Sequence, residues 1–198
     1  MLPTHALAGM VLALPVALVA PEFAGFALVA GLLGGILPDL DMYVGHRKTL
    51  HYPVYYSLVA VAAVPLALAA PTTATVGVAI VAFAAAVHSV ADVFGGGLEL
   101  RPWEATSSRA VYDHHRQRWV APRHWVRYDG APEDFLLSLA LAAPLVVALD
   151  GTLEVVVLGA VGVAAVYTAL RRVLPTVAQR LVAVLPEPVV AYVPARYL

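Results

Sequence analysis

The segment Thr75–Phe94 reads TVGVAIVAFAAAVHSVADVF, and it decides the fold class. No charge appears in it before Asp92. A helix rises 1.5 Å per residue, so about 20 apolar residues cross the hydrocarbon core of a bilayer. The run is predicted to be a transmembrane helix whose last turns carry His88 and Asp92. Five further apolar segments flank it: Ala6–Ala20, Phe23–Leu37, Val54–Ala70, Phe135–Leu149 and Leu153–Leu170. Three of these hold only fifteen apolar residues and need their flanks to span. Pro15 and Pro65 lie inside segments, where a missing N–H favours a bend.

Composition agrees. Of 198 residues, 61% are hydrophobic and 13% charged, with a mean hydropathy of +0.82. Soluble domains are about half apolar and a quarter charged. Disorder and an ordinary soluble domain are both excluded by this balance. With no cysteine there is no disulfide, thiolate metal site, iron–sulfur cluster or thiol nucleophile. A net charge of −1 gives no basic field, so no nucleic-acid partner is expected. The expected fold is all-α: one integral membrane domain over residues 1–198, a bundle of about six transmembrane helices. Residues 173–185, interrupted by Gln179 and Arg180, are expected to form an interfacial helix.

Charge placement orients the bundle. The connections at Pro21-Glu22, 70–74 and 150–152 contain no Lys or Arg. All twelve basic residues fall on the side that receives the N-terminus, the 38–53 and 95–134 connections and the C-terminal tail. The positive-inside rule makes that side cytoplasmic. The expected location is the plasma membrane, with both termini in the cytoplasm and membrane lipids as partners. The N-terminus lacks the basic region of a signal peptide, so the first segment is expected to stay in the mature protein.

The chemistry collects on this same side. All seven histidines lie there: His5, His46, His51, His88, His114, His115 and His124. His88 and Asp92, four apart, share a helix face and can reach one ion. Asp39 and Asp41, in Leu37-Pro-Asp-Leu-Asp41, would point the same way from an extended backbone and repel unless a cation neutralises them. His46 and His51 follow, with Arg47 and Lys48 between them suited to an anion such as phosphate. Taken singly, each pattern also has a plainer reading as a helix cap, an interfacial pair or a positive-inside anchor. Their convergence from distant segments is the functional signal. The long connection interleaves Arg with Trp103, Trp119 and Trp125. It reads as an interfacial belt, or as a lid over an anionic substrate hinged at Gly95–Gly97 and assisted by His114, His115 or His124.

Four of these motifs, in this order, resemble the YdjM-like family of membrane-bound, predicted metal-dependent hydrolases. They are Thr4-His5, Leu37–Asp41, Gly45–His51 and His88–Asp92, and they cover the first half of the chain. One departure is Leu50-His51-Tyr52, where the family usually has Thr before its second His; Thr49 is displaced by one. The resemblance implies a multi-spanning fold, a divalent-metal site and hydrolytic activity.

The expected metal ligands are His5, Asp39, Asp41, His51, His88 and Asp92, with His46 an alternative to His5. Mixed nitrogen and oxygen donors suit zinc, manganese or iron. Asp41 is expected to take a proton and Arg47 and Lys48 to hold the substrate anion, with His46 beside them as a further catalytic candidate. A phosphoester or anionic lipid at headgroup depth is the expected substrate. No Gly-x-Ser-x-Gly elbow, P-loop or His-Glu-x-x-His is present, which leaves metal-assisted hydrolysis as the main enzymatic option. Two non-enzymatic readings stand beside it. One is a transporter or ion path using the His/Asp cluster, and the other is a structural membrane protein whose metal ties loops together.

Overall fold

A computed structural model describes residues 1–193; Arg196 and the C-terminus, assigned above to the cytoplasmic side, lie outside the described residues. Helices form at every predicted segment: α1 (Leu2–Val19), α2 (Ala24–Ile36), α3 (Pro53–Ala69), α4 (Thr73–Ala91), α5 (Pro132–Ala148) and α6 (Gly151–Leu170). Two short helices follow, α7 (Leu174–Val182) and α8 (Glu187–Val190). Four stretches are long and apolar enough to cross a membrane: Leu2–Val19, Pro21–Asp41, Thr73–Phe94 and Gly151–Leu170. α3 is apolar but shorter. α5 opens on Glu133 and Asp134, acidic groups that suit a helix N-terminus.

The elements begin where local chemistry dictates. Pro lies in the first turn of α1, α3 and α5, where its missing N–H costs nothing. α1 therefore starts ahead of its apolar run and takes in Thr4 and His5, which the sequence placed just outside it. α4 opens on a capping box, with Thr72 accepting from the Thr75 N–H and Thr75 returning the bond. α1 and α3 continue uninterrupted through Pro15 and Pro65.

α1 is the central element and packs against α2, α4, α5 and α6. Its contact with α2 is made by backbone. A Cβ on Gly9 or Gly31 would collide with the other's carbonyl, and one on Gly35 with the carbonyl of His5. Small residues are what bring membrane helices this close. Thr4 ties the other side of α1 to α5, donating to Asp134 Oδ1 at 2.5 Å and lying 2.8 Å from Ser138 Oγ. The outward faces stay apolar and exposed, as at Leu58, Val61 and Leu68 on α3 and Val155, Val163 and Val166 on α6. An apolar exterior of this extent fits an apolar surrounding such as a bilayer.

The long connection departs from the all-helical expectation. Val111–Asp113 and Arg118–Val120 form an antiparallel hairpin, β1 and β2, with Tyr112 opposite Trp119. Asp113 Oδ1 accepts from the N–H groups of His115 and Arg116 and closes its turn. Returning residues 123–126 hydrogen-bond to the backbone of Val93, Phe94 and Gly95. This connection is a structured cap over one end of the bundle. Gly96 and Gly97 serve close packing within it, against the backbone at 127–128 and Ser107.

Gly31→Ala is expected to lower stability by at least about 1–3 kcal/mol, the range for overpacking. Gly25→Ala, whose Cβ meets nothing within 4 Å, is expected to gain up to about 1 kcal/mol from helix propensity. Thermal unfolding in detergent reads both; equal effects would contradict the glycine contact.

Candidate metal centre

The N-terminus of α1, the C-terminal ends of α2, α4 and α6, and the 42–52 loop meet at one end of the bundle. α2 ends in a 3-10 turn, Leu37–Asp41, opened by Pro38. This corrects the extended backbone expected there. With about three residues per turn, Asp39 and Asp41 point to different neighbours. Asp39 turns toward α4, while Asp41 turns toward the following loop.

Four side chains converge. His51 Nε2 lies 3.2 Å from Asp92 Oδ2 and 3.7 Å from Asp39 Oδ1. His88 Nε2 lies 3.6 Å and 3.5 Å from the same two oxygens. The ligand atoms of Asp39, His51, His88 and Asp92 all fall within 4.8 Å of one another and can hold one metal ion. Nitrogen and oxygen ligands about 2.0–2.2 Å from a tetrahedral ion lie roughly 3.3–3.6 Å apart, close to the four spacings here.

Both imidazoles are oriented from behind. His88 Nδ1 is 2.6 Å from the Gly35 carbonyl, which can only accept, so Nδ1 carries the proton. His51 Nδ1 is 3.0 Å from Asp41 Oδ2 and likewise donates to it. In the neutral rings, each Nε2 then presents a lone pair to the common centre. Among the described residues, His51 Nε2, His88 Nε2 and Asp92 Oδ2 are buried with no hydrogen-bond partner. Buried polar groups are nearly always satisfied, and three orphans facing one point fit a cation between them.

Electrostatics points the same way. Asp39 and Asp92 stand at the C-terminal ends of α2 and α4, where the helix dipole is already negative. Three carboxylates, those of Asp39, Asp41 and Asp92, crowd here with Arg47 as the one guanidinium. Two positive charges are wanting, which one divalent ion or two imidazolium groups would supply. Burial pulls the His51 pKa down and the Asp41 carboxylate outweighs it, so the value lies above the ordinary one. A proton and a metal thus compete for its Nε2. Protonated rings would donate to the nearby oxygens, yet neither Nε2 has hydrogen-bond geometry with them.

The remaining predicted residues surround these four. His5 is buried, with Nε2 3.0 Å from Asp92 Oδ1 and its ring stacked 3.8 Å from that of His88. It stands behind Asp92, outside the four-residue set. Asp41 is not free to take a proton. Its Oδ1 meets His46 Nδ1 at 3.1 Å and the Arg47 N–H, and its Oδ2 meets the Leu50 N–H and His51 Nδ1. Asp41 is therefore a positioning residue for His46 and His51. Arg47 is buried, with Nη1 on the Gly96 carbonyl at 2.7 Å and Nε 3.3 Å from Asp92 Oδ2. Burial works against its charge, but the Asp92, Asp129 and Asp39 carboxylates more than offset it and raise its pKa. Its backbone is left-handed, φ 58°, pinned by Asp41 on its N–H and by the Tyr112 N–H on its carbonyl. His114 bonds the Lys48 carbonyl and His124 lies 3.3 Å from that of Arg127, so neither enters the cluster.

The cluster opens on a cavity of about 840 Å³. Asp39, His46, Arg47 and Asp92 form one wall; the C-terminal half of α6 and the apolar side of α7 form the other. That far wall carries residues the sequence did not single out. Tyr167 donates to Asp129 Oδ2 at 2.5 Å, and Arg171 bonds the Asp129 carbonyl and Oδ1. In the sequence Arg171 is one of the basic residues after the last apolar segment, and only the fold reveals its partner.

No family model, curated protein or solved structure matches this chain.

His88→Ala is expected to abolish stoichiometric binding of zinc or manganese. Asp41→Asn should retain one site at about 10–100-fold weaker affinity, as when a residue orienting a ligand is altered. Titration calorimetry on detergent-purified protein separates the two; wild-type affinity in both variants would refute the site.

Proposed function

We propose that this chain is a six-span membrane metal-dependent hydrolase that acts on a phosphoester or lipid-related substrate at the cytoplasmic face. The observation that carries this reading is the set of two oriented, buried imidazoles and two carboxylates, with unpartnered buried atoms, of which Asp39 and Asp92 line a cavity together with His46 and Arg47. The likeness of four motifs to the YdjM-like family supports it. So does the position of the cluster at one end of the bundle, since transporters place such sites near the bilayer midplane.

Asp39, His51, His88 and Asp92 would hold the ion, with zinc, manganese or iron suited to this donor set. When bound, such an ion supplies Lewis acidity toward a phosphoryl oxygen and makes water more acidic. The protein's own groups divide the remaining work. Arg47 holds the substrate anion. Asp41 accepts from His46 Nδ1 and so leaves the His46 Nε2 lone pair as the proton acceptor. In hydrolysis the water oxygen bonds to phosphorus and gives its proton to His46. The ester oxygen leaves on the opposite side with the bonding pair and takes a proton from solvent, to which His46 later releases its own.

Purified protein should hydrolyse bis(p-nitrophenyl) phosphate or p-nitrophenyl phosphate only with divalent metal present. A chelator should stop turnover and added zinc or manganese restore it. His46→Gln should lower kcat by about 10²–10⁴-fold with unchanged metal content. Turnover that survives chelation would sink the proposal.

Orientation has its own test, because the chain has no cysteine of its own. Thr73→Cys should react with a membrane-impermeant maleimide on intact cells, and Ser108→Cys only after permeabilisation. The reverse pattern would overturn the assigned topology.

A further inference from the structure

The cavity beside the cluster has a neighbour across its α6 wall. A second hollow runs along the outer face of α6, lined by Gly159, Gly162, Val166 and Leu170. The two hollows share Val163, Tyr167 and Leu174 as walls. A Cβ on Gly159 or Gly162 would meet nothing within 4 Å, so these glycines leave a trough rather than seat a neighbouring helix within this chain. Glycine inside a helix costs roughly 0.5–1 kcal/mol against alanine, so two in an unfilled trough are not explained by the helix itself. The two adjoining hollows thus differ in chemistry. One offers His46, Arg47 and the Asp39 and Asp92 carboxylates of the cluster; the other is aliphatic apart from Tyr167, on a helix long and apolar enough to span a bilayer.

We infer that the substrate is a lipid phosphoester: its phosphate lies at Arg47 and the His/Asp cluster, and its hydrocarbon chain passes Val163, Tyr167 and Leu174 into the Gly159–Gly162 trough. This assignment rests on the hydrolase reading and names its substrate class. A head-only phosphoester would leave the apolar arm unused. A chain entering from the side along α6 stays in apolar surroundings throughout, so no hydrocarbon crosses water. The cavity lies within the range of about 300–1,000 Å³ that holds a ligand of drug size, enough for a headgroup and the first part of one chain.

The test compares lysophosphatidic acid of long acyl chain with p-nitrophenyl phosphate, using metal-loaded wild type, Gly159→Leu and Gly162→Leu. Phosphate release from the long-chain substrate is expected to fall by about tenfold or more in the variants, the scale of an overfilled site. Release from p-nitrophenyl phosphate should be unchanged, which also shows that the variants fold. Independently of turnover, a single-chain phosphate monoester with a diazirine near its chain end should crosslink metal-free wild type on α6, and the variants less. Equal turnover of the long-chain substrate in all three proteins, with crosslinks elsewhere, overturns the inference and leaves the hydrolase intact. If wild type is a dimer that the variants convert to monomer with long-chain turnover retained, the trough is a helix–helix interface, and the inference fails. Absence of turnover on both substrates removes the hydrolase reading and this assignment with it.

Discussion

Asp39 and Asp92 stand together, buried, at the C-terminal ends of two helices, and that arrangement constrains everything around it. Each carboxylate meets a helix dipole of its own sign, and each repels the other. The penalty for an ion withdrawn from water is several kcal/mol unless partners compensate it. Arg47 supplies one positive charge. The two imidazoles, when neutral, offer lone pairs to a cation, and when protonated carry positive charge themselves. The site is coherent only with positive charge at its centre.

Much of the nearby structure holds that centre in shape. Asp41 uses both oxygens to fix His46, His51 and the backbone at 47 and 50. Arg47 accepts a left-handed backbone, which costs about 1–2 kcal/mol for a residue with a Cβ. The hairpin bonds to that strained carbonyl through Tyr112 and thereby stabilises the conformation. On the other side, the glycine contact between α1 and α2 brings His5 against Gly35, whose carbonyl orients His88. The bundle packing and the ligand geometry are thus one problem with one solution.

The helices were legible in the sequence because long apolar runs alternate with short polar connections, and the basic residues are confined to alternate ones. The four converging residues were legible because His and Asp are costly in such runs and rarely collect by accident. The contacts of Asp41 with His46 and His51 were not legible. Residue spacing does not distinguish an extended strand from a 3-10 turn, and that choice decides where its side chain points. His5 was legible as a member of the site but not as a partner of Asp92, since its helix starts ahead of the apolar run. The hairpin was hidden in an Arg/Trp-rich connection whose two strands are only three residues each. The Asp129–Tyr167–Arg171 wall joins positions far apart in sequence, with no local pattern to announce it.

The central claim is that His51 and His88, and no other histidines, ligate a metal ion together with Asp39 and Asp92. X-ray absorption at the zinc edge tests it most directly, on detergent-purified protein loaded with one equivalent of zinc. The account predicts a first shell of nitrogen and oxygen at about 2.0–2.1 Å with two imidazoles and no sulfur. The imidazole scattering should be unchanged in His46→Gln and His124→Gln and weakened in His51→Gln and His88→Gln. A shell that is indifferent to His51 and His88, or protein that retains no zinc after desalting, would contradict it.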